Sequence, residues 1–243
     1  KLTQLTGGDW DDVEPAYLPD GGIAFCSTRC KRYVLCWLAP VAVLYRCNSD
    51  GSDIRQLSSG AVMENTPAVL PDGRILYTRW EYVDRDAISF HHLWVMNPDG
   101  TGASAYYGNM HPGGVFIDAR PVPSSDKVVY VDSGYHGSLE HAGRLMILKT
   151  KNGPDDQSQV SAIPGEDFRD PYPLSESEFL AASGNEIVSI SDKGVVKTLF
   201  KSTMMVHEPR LIASRRREPV IPSRVDPAKA NGTVFLFNVY IGR

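Results

Sequence analysis

The chain has 243 residues and a formal charge of −4, with 25 Lys and Arg against 29 Asp and Glu interspersed along it. No stripe of basic residues interleaved with aromatics occurs, so the composition gives no reason to expect nucleic acid or an anionic membrane as partner. No apolar run approaches the ~18 residues that span a bilayer, so membrane insertion is not expected, and no basic-then-apolar leader opens the chain.

In chain order, the first recognisable element is Gln4-Leu5-Thr6-Gly7-Gly8, which matches Gln56-Leu57-Ser58-Ser59-Gly60, 52 residues later. The same interval relates Pro15-Ala16-Tyr17-Leu18-Pro19-Asp20-Gly21 to Pro67-Ala68-Val69-Leu70-Pro71-Asp72-Gly73. It then brings Ala119-Arg120-Pro121-Val122-Pro123 and Pro171-Tyr172-Pro173-Leu174, and a weaker copy opens at Glu208-Pro209-Arg210-Leu211. A period of about 40 to 50 residues, with several short strand patterns in each, is the signature of a β-propeller, whose blades are four-stranded sheets set around a channel. The expected fold is therefore all-β, one propeller domain over 1–243 built of four-stranded antiparallel blades.

Each repeat reads as four strands from the channel outwards. In the second blade these are 68–70, 75–79, 93–96 and 104–107, with Asp72-Gly73 and Asp99-Gly100 supplying the hairpin turns. Equivalent outer turns are Asn48-Ser49-Asp50-Gly51, Lys151-Asn152-Gly153 and Ser191-Asp192-Lys193-Gly194. Their spacing lacks the order of an EF-hand loop, so they read as hairpins rather than calcium sites. In the fifth copy Arg215-Arg216-Arg217 falls where the first hairpin belongs, and 234–240 is strand-like. Four complete blades and a partial fifth are thus represented, with 2–6 as an outer strand lacking inner partners. Pairing of 2–6 with 234–238 would close a five-bladed ring; six blades are expected in a longer parent.

Strand direction alternates, so the short hairpins share one face of the disc while the longer connections share the other. The long segments are 7–14, 28–40, 59–66, 80–92, 108–118, 132–143, 164–170 and 202–208. All six histidines, His91, His92, His111, His136, His141 and His207, fall in them. Long loops on a rigid scaffold concentrate binding groups, so these histidines and Trp80 define the expected binding face. Substituting Trp80, His92 or His207 is expected to weaken binding with the fold nearly intact.

The four cysteines lie in the first blade. Cys30 and Cys36 bracket five residues of one loop and are expected to form a disulfide, which implies a periplasmic or otherwise extracytoplasmic setting. Cys26 and Cys47 sit in strands as small hydrophobes, with Cys26 near enough to the loop face to reach a metal there. No Cys-x-x-Cys-His, Gly-x-Ser-x-Gly, phosphate loop or His-Glu-x-x-His occurs. Ser133 and Ser138 lie near His136 and His141, but sequence proximity alone makes no triad.

The Leu-Pro-Asp-Gly and Asn-Pro-Asp-Gly hairpins, clearest in Leu93-Trp94-Val95-Met96-Asn97-Pro98-Asp99-Gly100, resemble the repeats of TolB-like propellers. Phe25-Cys26-Ser27-Thr28-Arg29-Cys30, Tyr77-Thr78-Arg79-Trp80-Glu81-Tyr82-Val83-Asp84-Arg85, and His207-Glu208-Pro209 followed by Pro219-Val220-Ile221-Pro222-Ser223-Arg224 resemble the propeller of the hydrazine synthase alpha-subunit family. That family makes hydrazine from nitric oxide and an ammonia-level nitrogen source, with the propeller preceding haem-carrying domains. The resemblance implies a scaffold packed on c-type haem domains or other protein subunits, with a cysteine or histidine lent to a metal. By placement, the candidates are Cys26, Cys30 and His207, with zinc or calcium at the loop face. A protein-binding propeller of the TolB type and a metal-dependent propeller enzyme such as a polysaccharide lyase are the alternatives.

Overall fold

A computed structural model describes residues 2–83, 86–134, 136–226, 228–233 and 235–236. Its strands fall into four four-stranded antiparallel sheets, each in simple sequential order. The first holds β1 (Asp12–Tyr17), β2 (Ile23–Ser27), β3 (Val43–Cys47) and β4 (Arg55–Gln56); the second β5 (Glu64–Val69), β6 (Ile75–Trp80), β7 (His91–Met96) and β8 (Ser104–Tyr107). The third holds β9 (Phe116–Pro121), β10 (Lys127–Asp132), β11 (Arg144–Lys149) and β12 (Val160–Ala162); the fourth β13 (Arg169–Pro173), β14 (Glu178–Ser183), β15 (Glu186–Ser191) and β16 (Val196–Lys201). The core lies between blades, as the alternation of strand side chains requires. Ala24, Cys26 and Leu44 meet Ile75, Tyr77 and Met96; Leu76, Leu93 and Val95 meet Val128, Tyr130 and Leu148; Val129 and Val131 meet Phe179 and Ala181.

The inner strands share a device that fixes the repeat. Glu14, Thr66, Asp118 and Asp170, each 52 residues after the last, all adopt left-handed φ, between 51° and 56°. Ladder register slips beside each of them, so each is a bulge that turns its side chain along the ring. Glu14 Oε2 accepts the Thr66 N–H at 2.6 Å, and Thr66 Oγ1 accepts the Asp118 N–H at 3.2 Å. The Asp118 carboxylate accepts the Asp170 N–H, and Asp170 Oδ2 accepts the N–H of Glu208, itself at φ 51°, at 3.0 Å. Backbone donors left free by the bulges are thus satisfied by the preceding blade.

The hairpins behave as their sequences require. Leu70 N–H donates to Arg74 O at 2.9 Å around Asp72-Gly73, and Asp72 Oδ1 accepts the Arg74 N–H at 3.1 Å. Gly100 has φ 86° and packs so closely on Leu57 O that a Cβ would lie 2.5 Å from it; Gly51 meets Leu5 O in the same way, at 2.1 Å. Leu5 therefore stands to the first blade as Leu57 stands to the second, although residues 2–7 form no strand.

The fifth repeat departs from expectation. Among the described residues it contributes only the channel turn at Glu208, and 202–226 carry no strand. Arg215 and Arg217 form no hairpin of a fifth blade; with Glu218 they lie against Tyr17, Leu18, Pro19 and Gly21. The chain then passes beneath Gly73 at Pro219 and Ile221, and Arg224 N–H donates to Asp99 Oδ2 at 2.7 Å. Pro219 and Pro222 lack the donors a second strand would need, which suits a strap over the hairpin face. The expected pairing of 2–6 with 234–238 lies in part outside the described residues.

Candidate functional site

The connection between β2 and β3 folds into a small hairpin. Val41 N–H donates to Arg32 O at 2.8 Å and Val34 N–H to Ala39 O at 3.0 Å. Val34 and Val41 are buried with Phe25 and Tyr45 and root the loop in the first blade. Its tip points the other way: Tyr33 is 60%, Leu35 70%, Trp37 76% and Leu38 86% exposed. The four side chains form a contiguous exposed apolar tip rather than scattered single residues.

This hairpin corrects the cysteine expectation. All four cysteines are free thiols. Cys30, at the end of the short 3-10 turn Thr28–Cys30, turns its Sγ to Val41 O at 3.1 Å, while Cys36 sits exposed at the tip. The Cys36 thiol instead reaches Tyr82 and raises the phenol's pKa. Cys26 is fully buried between the first two blades, and burial, reinforced by Glu14, holds its thiol well above the usual range.

Tyr82 leads to the centre of the face. Its ring meets Trp80 edge-on at 5.6 Å between centroids, and Trp80 stacks on His91 at 5.0 Å and lies 4.8 Å from His136. His136 Nδ1 and His91 Nε2 are 2.8 Å apart. Burial, then the neighbouring His136, lowers the His91 pKa to about 3, so this imidazole is neutral at physiological pH. His141 follows from the Leu139–His141 turn, with Nδ1 3.1 Å from Ser133 Oγ. Its pKa is lowered by burial and by His136.

The other histidines separate. Trp80 closes β6, and His91 and His92 open β7, so these three belong to strands rather than to the expected loop. His92 is 1% exposed, its ring against Phe90 and Phe116, and is a core residue. His111 is drawn to the rim by Asp155 O, 2.6 Å from its Nε2. His207 remains exposed, with Nδ1 3.5 Å from Asp170 Oδ2 and Nε2 3.6 Å from Glu140 Oε2.

His207 adjoins a cluster of carboxylates on the inner-strand turns. One carboxylate oxygen each from Asp118, Asp170 and Glu208 falls within 4.8 Å of the others, which among the described residues is the one set of three potential ligands in mutual reach. Cys26, Cys30 and His207 are not brought into such a set. Burial, with the charge of Asp170, raises the Asp118 pKa to about 7, and burial raises Glu14. Arg120 lies among these acids, its Nη1 donating to Pro67 O at 3.0 Å and its Nη2 3.8 Å from Glu208, which Arg210 also pairs. Burial lowers the Arg210 pKa to about 10. The inner-strand turns thus bring acids and arginines together in a mixed cluster. Sequence reading passed over this ring, although its members form the column that precedes Pro15, Pro67, Ala119, Pro171 and Pro209.

No protein-family model and no curated protein matches the sequence. Solved structures do match. TolB from Acinetobacter baumannii superposes with a TM-score of 0.53 at 12% identity over 79% of this chain and 43% of that one. The fold is a β-propeller similar to that of TolB. The Kuenenia stuttgartiensis hydrazine synthase gives a TM-score of 0.57 at 17% identity over 81% of this chain, which spans 31% of that protein. An oligogalacturonate lyase from Vibrio parahaemolyticus gives 0.52 at 10% identity over 82% of this chain and 56% of the lyase. At these identities the likeness is one of fold, and the chain covers only part of each of the three structures.

Proposed function

We propose that this propeller is a binding and scaffold domain of a hydrazine-synthase-alpha-like redox assembly, which docks a haem-carrying domain or subunit with its loop face. The observation that carries the reading is the apolar tip at Tyr33, Leu35, Trp37 and Leu38, held out by a rooted hairpin on that face. The similarity to hydrazine synthase in fold and the sequence stretches around Cys26, Tyr77 and His207 support the choice of partner. On this reading the chain itself carries no haem, the assembly works outside the cytoplasm, and catalysis belongs to the partner. Capture of a peptide in the channel, the TolB-type alternative, would have to displace Arg120, Arg210 and Glu208 from their pairs.

The test is co-migration. The chain, mixed with the c-type haem domains of a hydrazine synthase alpha subunit, is expected to elute in one peak with haem absorbance. A Trp37→Ser, Leu38→Ser double variant is expected to lower the affinity at least tenfold, since aromatic anchors dominate such interfaces. Undiminished co-elution of the folded double variant would refute this docking face.

A further inference from the structure

Two imidazoles converge at one point on the loop face, and no repeat copies them. Nδ1 of His136 and Nε2 of His91 lie 2.8 Å apart, one carried by the β10–β11 connection and the other by β7 of the neighbouring blade. Both rings are clamped by Trp80, which itself is fixed by donation from Nε1 to Ala87 O at 2.9 Å. Two nitrogens on one tetrahedral ion, each about 2.0–2.1 Å from it, are separated by roughly 3.3 Å. The observed pair, which shares a proton, would open by about half an ångström, lose that proton and turn its rings for both nitrogens to face one ion.

We infer that His91 Nε2 and His136 Nδ1 form a two-histidine site for a borderline transition-metal dication, zinc or copper(II), with its remaining positions open to solvent or to a docked partner. The donor set excludes calcium, which requires a shell of oxygens, whereas imidazole suits zinc and copper. His141, anchored through Nδ1 by Ser133, stands next in line and orders the connection that carries His136. The site is distinct from the acids of the channel, where Arg120 and Arg210 already oppose the carboxylates.

Copper(II) titration tests the site, because a bound copper ion would lie against the Trp80 ring and quench its emission. The intact chain is expected to bind one copper ion in the micromolar range, with saturable quenching and an electron paramagnetic resonance spectrum showing two imidazole nitrogens. His136→Gln is expected to weaken binding at least tenfold, about what loss of a ligand or its support costs. Trp80→Phe, checked for folding by circular dichroism, should lose the quenching while the two-nitrogen resonance spectrum persists. His207→Gln should change neither. Binding only at millimolar copper, affinity indifferent to His136→Gln, or a spectrum of oxygen ligands abolished by Asp118→Asn would overturn the inference.

Discussion

Two buried polar regions of this propeller look alike in composition and differ in kind. The channel ring of Glu14, Thr66, Asp118, Asp170 and Glu208 recurs with the repeat, and each acceptor meets a backbone donor of the next blade. The corner of Trp80, His91 and His136 occurs once, and its two imidazoles meet each other. A polar group that returns with the period serves the architecture, because every blade junction has the same donors to satisfy. One that appears in a single blade answers no such need, and there a ligand is the more economical explanation.

The largest effect that would sharpen this contrast is at His92, the core neighbour of His91. His92→Ala removes a ring packed against Phe90 and Phe116 and is expected to cost about 3 kcal/mol in denaturant unfolding while leaving copper affinity within twofold. Next comes the ring. Thr66→Val deletes the acceptor for the buried Asp118 N–H and should cost about 2 kcal/mol, again with no effect on metal binding. A cost below about 0.5 kcal/mol would deny the ring its structural role.

A pH series separates the two regions further. Burial and the charge of Asp170 raise the Asp118 pKa from the ordinary 3.8 to about 7 in the folded chain, so folding favours its protonated form. Its contribution to stability is complete below the unfolded value and is lost as pH rises through the folded one. Asp118→Asn keeps an acceptor without the charge. Its melting temperature should match wild type below pH 4, exceed it increasingly up to about pH 7 and keep a constant excess above that; parallel curves throughout would show that Asp118 is not strained by its charge. The smallest effect is expected at His207→Ala, within about 0.5 kcal/mol, because the side chain is exposed.

Much of the architecture was legible because hairpin chemistry and the repeat are local signals. The expected strands 75–79, 93–96 and 104–107 correspond to β6, β7 and β8, with β7 starting two residues earlier, at His91. Those two residues carry the main error at the site. Two adjacent histidines before Leu93 read as loop, but pairing of His91 with Trp80 and His92 with Arg79 extends the ladder. The Cys30–Cys36 expectation failed for a related reason: a five-residue gap permits closure, but the 3-10 turn and Val41 decide where Sγ points. That His136 meets His91 depends on two blades coming together across 45 residues, which no spacing within either segment records. The strap of 213–226 was missed because Arg215-Arg216-Arg217 sits where the repeat places a turn, while the prolines after it forbid the strand that would follow.

The ring of bulges also has a direction. At every junction the acceptor side chain belongs to the earlier copy and the backbone donor to the later one, from Glu14 to Thr66, Thr66 to Asp118, Asp118 to Asp170 and Asp170 to Glu208. A chain leaving the ribosome exposes its N-terminal copies first. Each new inner strand therefore emerges to find its partner already in place, and the propeller can be laid down blade by blade in the order in which it is translated.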